Sequence, residues 1–360
     1  MIGSYSGSLY IIAGEASGDK LGSCVLDNLK EVEASGVGGP LMEARGFHSL
    51  FDIREIAVGG ILETIHCITR IKMLIRKTVE DIIRRKPRAV LTIDSPEFCF
   101  RVTKQVRAAA PEIKLIHLVA PSVWAWRPKR GKAIAEVYDH MMTLFDFEPQ
   151  YFTKYGLRTT FVGHPAVEEF CGSSDSKESI LLLMPGSRVQ EIKAHLPIFL
   201  EAARGIEADR VVIPTTGSMR QLVKSMVPDD HIEVISDEVE KRELYRNAKL
   251  AVVASGTATL HLALSSCPMV VCYRMSPLSY MILKPLVNVK FISLVNLILD
   301  VEVVPELIQS ACTPASIIDA AGNINNACQS VSFQEIKSRL LPNDISPSRM
   351  IATTVEQYLV

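Results

Sequence analysis

Short apolar runs alternate with amphipathic segments along the whole chain. The apolar runs are rich in Val, Ile and Leu, which is typical of parallel strands buried on both faces of a sheet. The segments between them have helical periodicity. Strands are predicted at residues 9–13, 89–93, 114–119, 141–144, 161–162, 180–184, 210–214, 250–254 and 268–273. This alternation predicts an α/β fold with two Rossmann-like, doubly wound domains that face a cleft.

The domain boundaries follow from a break in the pattern. The length of 360 residues favours two domains over one, and the small, polar segment 171–177 (CGSSDSK) has the composition of a linker. The predicted domains are therefore residues 1–171 and 178–335. A C-terminal segment at 336–360 contains a predicted helix and can pack on either domain.

Three turns after predicted strands are candidates for ligand binding: 14–19 (GEASGD), 185–188 (PGSR) and 255–259 (SGTAT). A strand, a Gly-containing turn and a helix present backbone N–H groups and a positive helix end to an anion. Arg188 and the turn 255–259 are predicted to form a diphosphate cradle that needs no metal. The acidic residues Glu15 and Asp19 would repel phosphate, so the turn 14–19 is predicted to bind acceptor hydroxyls instead. The structural alternative is that Asp19 caps a helix.

Asp94 ends a fully apolar predicted strand and is followed by Pro96. Ligands of open α/β sheets gather at the carboxyl ends of strands, where a carboxylate can act as a general base. Glu97 adds a second acid nearby. Asp94 is therefore the predicted catalytic base, and the alternative is a capping role for the helix after Pro96.

Charge is neutral overall but uneven locally. The formal net charge of −1 gives no indication of nucleic-acid binding. One or two amphipathic helices are predicted within 61–85. This segment carries an Ile stripe and many cations, and interleaved apolar and basic residues favour adsorption to an anionic membrane. A solvated helix face is the alternative. The residues predicted to face the membrane or acyl chains are Ile61, Ile65, Ile68, Arg70, Lys72 and Arg76.

Neither a metal, a cofactor nor a secretion signal is expected. The eight cysteines are scattered without a CxxC pair, which is typical of reduced thiols in a cytoplasmic protein. The sequence contains no DxD motif, and the histidines are dispersed; His164 is predicted to be a structural loop residue. The N-terminus lacks a basic region, and the apolar stretch 278–299 is interrupted by Lys284, Pro285 and Lys290, which argues against a spanning helix.

The motifs, in this order, resemble the lipid-A-disaccharide synthase family from about residue 10 to about residue 310. The matching segments are 13–19 (AGEASGD), 36–40 (GVGGP), 93–98 (IDSPEF), 120–128 (APSVWAWRP), 147–149 (FEP), 161–165 (FVGHP), 185–188 (PGSR), 254–260 (ASGTATL) and 303–307 (VVPEL). The tryptophan segment 120–128 and the segment 254–260 are the most specific of these.

The resemblance implies a metal-independent, inverting glycosyltransferase of the GT-B type. It implies transfer of 2,3-diacylglucosamine from UDP to the 6-hydroxyl of 2,3-diacylglucosamine 1-phosphate (lipid X), on the cytoplasmic side of the bacterial inner membrane. A homodimer with exchanged C-terminal segments is expected. By resemblance, Asp94 is the base; Glu15, Ser17, Asp19 and Glu97 lie on the acceptor side; and Arg188, Ser255, Gly256, Thr257, Thr259, His261, Asn296, Glu306 and Gln309 lie on the donor side.

Three positions depart from the family pattern. His261 stands where the family usually has a Glu that is expected to touch the nucleotide, Val301 stands where an Arg is usual, and Gly59 where Met is common. A His cannot offer the two acceptor oxygens of a carboxylate. Two alternatives therefore remain: a divergent relative that binds nucleotide or lipid without turnover, and another two-domain UDP-sugar enzyme such as a 2-epimerase or the undecaprenyl-linked GlcNAc transferase.

Overall fold

The computed structural model describes residues 8–29, 32–56, 64–126, 129–172, 177–227, 231–276, 280–281, 284, 289–342 and 345–360; of residues 64–67 only the backbone is described. The chain divides into two compact units. The first contains Met1–Pro165 together with Leu340–Val360, and the second contains Ala166–Arg339.

The first unit is built on a six-stranded parallel sheet. Its strands are β1 (Ser8–Ala13), β2 (Glu33–Val37), β3 (Ala89–Ile93), β4 (Lys114–Leu118), β5 (His140–Thr143) and β6 (Arg158–Phe161), in the order β2-β1-β3-β4-β5-β6. Every residue of β3 is buried, as expected for a central parallel strand with helices on both faces. Because β2 and β3 lie on opposite sides of β1, the strand order reverses direction between β1 and β3.

The helices of the first unit connect these strands. They are α1 (Ala16–Asn28), α2 (Pro40–Glu43), α3 (Thr64–Arg85), α4 (Pro96–Ala109), α5 (Arg130–Ala135) and α6 (Gln150–Thr153), with a 3₁₀ turn at Ile53–Glu55. Buried residues of α3 and α4, such as Leu74 and Val102, join the same core as Tyr10 and Val90 of the sheet. The predicted amphipathic helix within 61–85 is thus confirmed for residues 64–85.

The C-terminal helix of the chain, α15 (Pro347–Glu356), belongs to the first unit and packs on α1. Its residues Ile351 and Val355 are fully buried. The ring of Tyr358 packs against His140 of β5, with the ring centroids 5.6 Å apart. The first unit is therefore built from both ends of the described chain.

The second unit repeats the architecture with another six-stranded parallel sheet. Its strands are β7 (Glu178–Met184), β8 (Arg210–Pro214), β9 (Ile232–Ile235), β10 (Ala248–Ala254), β11 (Met269–Tyr273) and β12 (Glu306–Ile308), in the order β12-β11-β10-β7-β8-β9. Its helices are α7 (Ala166–Phe170), α8 (Val189–Ala203), α9 (Arg220–Met226), α10 (Glu238–Asn247), α11 (Thr257–Leu264), α12 (Leu294–Leu299), α13 (Pro314–Gly322) and α14 (Asn326–Arg339), with a 3₁₀ turn at Gln309–Ala311. Here the strand order reverses between β7 and β10.

The motif segment 36–40 begins inside a strand, because residues 33–37 form β2. Gly36 pairs with Ile11 of β1 and has φ +140°, and a Cβ atom there would lie 2.0 Å from the Ile11 carbonyl oxygen. Only glycine allows this close approach of two strands. The strand is short and contains few apolar residues, so its hydrophobic pattern is weak.

Candidate functional site

The predicted acceptor residues lie at the point where the strand order of the first sheet reverses. Gly14 directly follows β1 and Asp94 directly follows β3, and these two strands are neighbours in register. In open α/β sheets such a reversal leaves a crevice at the carboxyl ends of the strands, where ligands bind. The structure therefore brings the turn 14–19 and Asp94 together.

The Asp94 carboxylate accepts two hydrogen bonds from the surrounding turns. One of its oxygens accepts from the Ser17 hydroxyl at 3.0 Å, and the other accepts from the Ser95 backbone N–H at 2.9 Å. Asp94 and Ser95 both have positive φ values, +54° and +43°, a backbone conformation that non-glycine residues rarely adopt. Such strain concentrates at functional sites. The N-cap of α4 is Ser95 and not Asp94, so a simple capping role for Asp94 does not describe this geometry.

The three other predicted acceptor residues differ in their surroundings. Asp19 is only 3% exposed, and its carboxylate accepts hydrogen bonds of 2.9–3.1 Å from the backbone N–H groups of Gly39, Leu41 and Met42. It therefore fixes the start of α2 beside the turn. Glu15 is exposed at the start of α1, and Glu97 is exposed and paired with Arg130 at 2.6 Å.

A recess of about 290 Å³ is lined by Ser95, the residue that follows Asp94. Its walls combine the polar residues Glu15, Ser95, Glu97 and Arg101 with the apolar side chains of Ile56, Ile71, Pro96 and Phe98. The hydroxyl of Ser95 is buried, and none of the residues that the structure describes forms a hydrogen bond with it. A wall that is acidic on one side and aliphatic on the other suits a ligand with both a polar ring and a hydrocarbon part.

The predicted membrane-facing residues lie on α3 or before it. Ile61 lies outside the described residues, and the side chain of Ile65 is likewise not described. Ile68 is 51% exposed and Met73 is 58% exposed. Arg70 pairs with Glu55 at 3.1 Å and Arg76 with Glu80 at 2.7 Å. Lys72 is exposed beside them, so this helix presents both apolar and basic side chains to solvent.

The predicted donor residues lie at the corresponding reversal of the second sheet. The turn 185–188 follows β7 and the turn 255–259 follows β10, and these strands are neighbours. A cavity of about 380 Å³ is lined by both turns, including Arg188, Ser255, Gly256 and Thr257. The structure thus brings together the two turns that the sequence analysis assigned to one anion.

Arg188 stands at the start of α8 with its side chain 82% exposed and 3.4 Å from Glu191. The carboxylate of Glu191 accepts hydrogen bonds from the Ser187 and Arg188 backbone N–H groups at 3.1 and 3.2 Å. Gly186 has φ +116°, and a Cβ atom there would lie 2.5 Å from that carboxylate. Glu191 therefore organises the turn, while the Arg188 guanidinium extends into solvent.

The turn that opens α11 is exposed to solvent at Gly256. Gly256 is exposed, its backbone is extended with φ 163°, and an added Cβ atom would meet nothing within 4 Å. The fold itself therefore does not require glycine at this position. Thr259 is buried and its hydroxyl donates to the Gly256 carbonyl at 2.8 Å, and the Ser255 hydroxyl donates to the Ile292 carbonyl at 2.7 Å.

His261 lies one turn further along α11. Its ring stacks on Phe170 of α7, with the centroids 4.0 Å apart and the planes within 9°. Among the described residues, those that line the 380 Å³ cavity do not include His261. Val301, the second departure, is 51% exposed after α12, and Gly59 lies outside the described residues.

Three further predicted donor residues form an internal hydrogen-bond network. Asn296 is fully buried, accepts from the backbone of Val303 and Val304, and donates to Glu306 at 2.9 Å. Glu306 also accepts from the backbone N–H groups of Ile292 and Ser293. Gln309 accepts from the Met275 N–H at 2.8 Å. These side chains fix the segments around α12 and β12.

Two residues of the second unit were missed by sequence reasoning. Lys241 of α10 is buried and lines the 380 Å³ cavity, where its ammonium contacts Glu238 at 2.5 Å and the Thr215 carbonyl at 3.3 Å. His195 of α8 is buried, and burial lowers its pKa. Its Nδ1 lies 3.0 Å from the Pro185 carbonyl, and its Nε2 accepts from the Arg274 N–H at 2.8 Å. It links the end of β7 to the end of β11.

A third missed residue is Glu148, at the carboxyl ends of β5 and β6. It is buried and accepts hydrogen bonds from the Trp124 indole at 3.3 Å and from the Leu144 and Phe145 N–H groups at 3.2 Å. Burial raises its pKa to about 7, against the opposing effect of these hydrogen bonds. It anchors the tryptophan segment to the sheet. His164 packs on Phe145, with ring centroids 5.6 Å apart.

Neither a metal cluster nor a membrane-spanning helix is found in the part of the chain that the structure describes. Within those residues, His, Cys, Asp and Glu do not form any group of three or more that could hold a metal ion. None of the helices described there combines the length and the hydropathy that crossing a bilayer requires.

Comparison with known proteins adds independent findings. The family model of lipid-A-disaccharide synthetase matches residues 9–352. The lipid-A-disaccharide synthase of Rhodospirillum centenum is 36% identical over 374 residues, which covers 96% of this chain and 93% of that protein.

Solved structures confirm the predicted fold class. The glycotransferase of kitacinnamycin superposes with a TM-score of 0.65 at 13% identity, covering 98% of this chain and 99% of that one. The UDP-GlcNAc 2-epimerase of Methanocaldococcus jannaschii, solved in complex with UDP-GlcNAc and UDP, superposes with a TM-score of 0.62 at 11% identity, covering 97% and 99%. The two parallel, doubly wound sheets are those of the GT-B fold.

Proposed function

The chain belongs to the lipid-A-disaccharide synthase family, and on that premise we propose that it transfers 2,3-diacylglucosamine from UDP to the 6-hydroxyl of 2,3-diacylglucosamine 1-phosphate (lipid X). The product is a β-1,6-linked tetraacyl disaccharide 1-phosphate, and UDP leaves. The observation that carries this reaction class is the position of the two groups of residues, each at the reversal point of its own sheet.

Asp94 is the proposed general base. Its carboxylate takes the proton of the acceptor 6-hydroxyl as that oxygen attacks C1 of the donor sugar. The C1–oxygen bond to UDP breaks on the opposite face, so an α-linked donor gives a β-linked product. The hydrogen bonds from Ser17 and the Ser95 N–H support this role because they fix the carboxylate in one orientation.

The leaving UDP is the proposed ligand of the second unit. Its diphosphate takes up a negative charge as the bond breaks, and preorganised donors lower the energy of that charge. The helix start at 256–259, with the Gly256 and Thr257 backbone, and the exposed Arg188 guanidinium supply such donors around the 380 Å³ cavity. Lys241 lines the same cavity, where its ammonium is paired with the Glu238 carboxylate.

We propose that the other residues predicted on the donor-sugar side support this cavity indirectly. Asn296, Glu306 and Gln309 position the segments beside it through their internal hydrogen bonds. Asp19 does the same for the acceptor turn. The ring of His261 stacks on Phe170, and we propose that the edge of this ring contacts the nucleotide.

The acyl chains and the membrane are proposed to meet the first unit at α3. The exposed Ile68 and Met73 and the basic residues around them combine a hydrocarbon surface with positive charge, which favours adsorption to an anionic bilayer by roughly 1 kcal/mol per basic residue. Ile71 of the same helix lines the 290 Å³ recess. We propose a peripheral enzyme on the cytoplasmic face of the inner membrane that acts as a homodimer.

One assay tests the function. Purified protein is incubated with labelled UDP-diacylglucosamine, with and without detergent-dispersed lipid X, and both UDP and disaccharide are measured. Release of UDP together with disaccharide, dependent on lipid X, is the expected result. UDP release without any lipid acceptor would favour an epimerase-like enzyme instead. Donor binding without turnover would favour the non-catalytic relative that the departures at His261 and Val301 suggest.

A further inference from the structure

A cationic recess lies on the first unit between α3 and α4. It has a volume of about 430 Å³ and is lined by Lys72, Ile75, Arg101, Lys104 and Gln105. The buried side chain of Ile75 forms its floor, and the three cations are exposed around it. Three positive charges converge here on one opening.

The cations of this recess differ from the arginines of α3. Along α3, Arg70, Arg76 and Arg84 each pair with a carboxylate. Within the described residues, no carboxylate lies within ion-pair distance of Lys72, Arg101 or Lys104. Unneutralised positive charges held close together repel one another, and an anion removes that cost.

The recess meets the proposed acceptor site at Arg101. Arg101 lines both the cationic recess and the 290 Å³ recess that contains Ser95 and Glu97. A ligand whose polar ring lies beside Asp94 can therefore extend an anionic group past Arg101. The proposed acceptor is a sugar with its reacting hydroxyl at one end and a phosphate monoester at C1.

We propose that Lys72, Arg101 and Lys104 bind the phosphate monoester of the acceptor and thereby orient its 6-hydroxyl toward Asp94. This inference rests on the proposed function and assigns one part of the acceptor to one place on the surface. Arg101 supplies planar, paired donors that match phosphate oxygens, and the two lysines supply point charges. Gln105 lines the same recess, and its side-chain amide donates to the Arg101 carbonyl at 3.2 Å.

The test compares the acceptor with and without its phosphate. Disaccharide formation is measured with lipid X and with its dephosphorylated analogue for wild type, R101Q, K104Q and K72Q. We expect wild type to prefer the phosphorylated acceptor by at least about tenfold in kcat/KM, since a hydrogen bond to a charged group corresponds to about that factor. Each variant should lose most of this preference while the donor KM is unchanged. K114Q is the matched control. Lys114 is an exposed cation at the amino end of β4, whereas Asp94 lies at the carboxyl end of the neighbouring strand β3.

Binding to vesicles separates the acceptor phosphate from lipid headgroups. The same variants are sedimented with phosphatidylglycerol and with phosphatidylcholine vesicles. Loss of binding to phosphatidylglycerol, together with an equal loss of activity on both acceptors, would overturn the inference in favour of a headgroup site. Unchanged discrimination between the acceptors in all three variants would overturn it as well. If wild type makes no disaccharide from either acceptor, it is the proposed function that fails.

Discussion

The hydroxyl of Ser17 donates a 3.0 Å hydrogen bond to the carboxylate of Asp94, 77 positions further along the chain. This bond joins the turn after β1 to the turn after β3, on the two strands between which the sheet order reverses. The acceptor turn and the proposed base are therefore one hydrogen-bonded unit, and the position of the carboxylate depends on both.

Replacement of Asp94 by Asn tests the base. The amide is similar in shape and can still contact Ser17, but it cannot take up a proton. We expect kcat to fall by about 10²- to 10⁴-fold, the range that general base catalysis contributes, with little change in either KM or in the unfolding temperature. Ser17→Ala is the companion variant and should have a smaller effect. Full activity of the Asn variant would remove Asp94 from the mechanism.

Replacement of Ser95 by Ala tests the unpaired hydroxyl in the wall of the acceptor recess. A buried hydroxyl without a partner costs about 1–3 kcal/mol of stability. Ala and Ser are disfavoured to a similar degree at a positive φ, so the backbone conformation does not distinguish them. The unfolding temperature should therefore stay the same or rise. If the hydroxyl binds the acceptor, the KM for lipid X rises and the donor KM does not. A drop in thermal stability would show that Ser95 has a structural partner instead.

Replacement of Gly256 by Ala tests close approach of the donor diphosphate. The extended backbone accepts Ala, and the added methyl group meets no atom of the protein within 4 Å. Stability should stay constant or rise by up to about 1 kcal/mol. The donor KM should rise about tenfold, which corresponds to about 1.4 kcal/mol. Gly217, where an added Cβ also meets nothing within 4 Å, is the control position for a neutral Gly→Ala change.

Replacements of His261 test the departure from the family pattern. His261→Ala should raise the donor KM more than it lowers kcat, because the substitution removes a binding contact and does not remove a reacting group. His261→Glu restores the usual family residue and should lower the donor KM. Titration of UDP by calorimetry gives the same comparison without turnover. An unchanged donor KM in both variants would mean that His261 only packs on Phe170.

The pH dependence of stability tests Glu148. Burial raises its pKa to about 7 from 4.5, so the folded state holds a proton that the unfolded state releases. The contribution of Glu148 to stability is therefore complete below about pH 4.5 and is lost as the pH rises through about 7. The unfolding free energy of wild type relative to Glu148→Gln should fall by roughly 3 kcal/mol over this interval. A flat difference would mean that Glu148 is ionised throughout.

The sequence predicts most of the sheet but only part of the roles of the site residues. Strands such as β3 and β10 are continuous apolar runs, and their ends mark the positions of Asp94 and Ser255. Strands β2, β9 and β12 were missed, because β2 consists mostly of small residues and β9 and β12 are only four and three residues long. The pairing of two turns at one reversal point depends on strand order, which local patterns do not contain.

The internal hydrogen bonds of the site also exceed what the sequence could predict. Asp19 was expected to contact acceptor or cap its own helix, yet it holds the start of α2, more than twenty positions away. His195 and Lys241 lie within ordinary amphipathic helices, where the sequence pattern does not distinguish a buried polar residue from an exposed one. Their partners, Arg274 and Thr215, come from loops after different strands. Only the tertiary arrangement reveals them.

The return of the chain to the first unit has a consequence for biosynthesis. Helix α15, which packs on α1, is translated only after the entire second unit has been made. During that interval the surface that Ile351 and Val355 cover is open to chaperones and to other nascent chains. The second unit is contiguous in sequence and can fold while it emerges from the ribosome. The first unit can complete its folding only after that, when α15 is available.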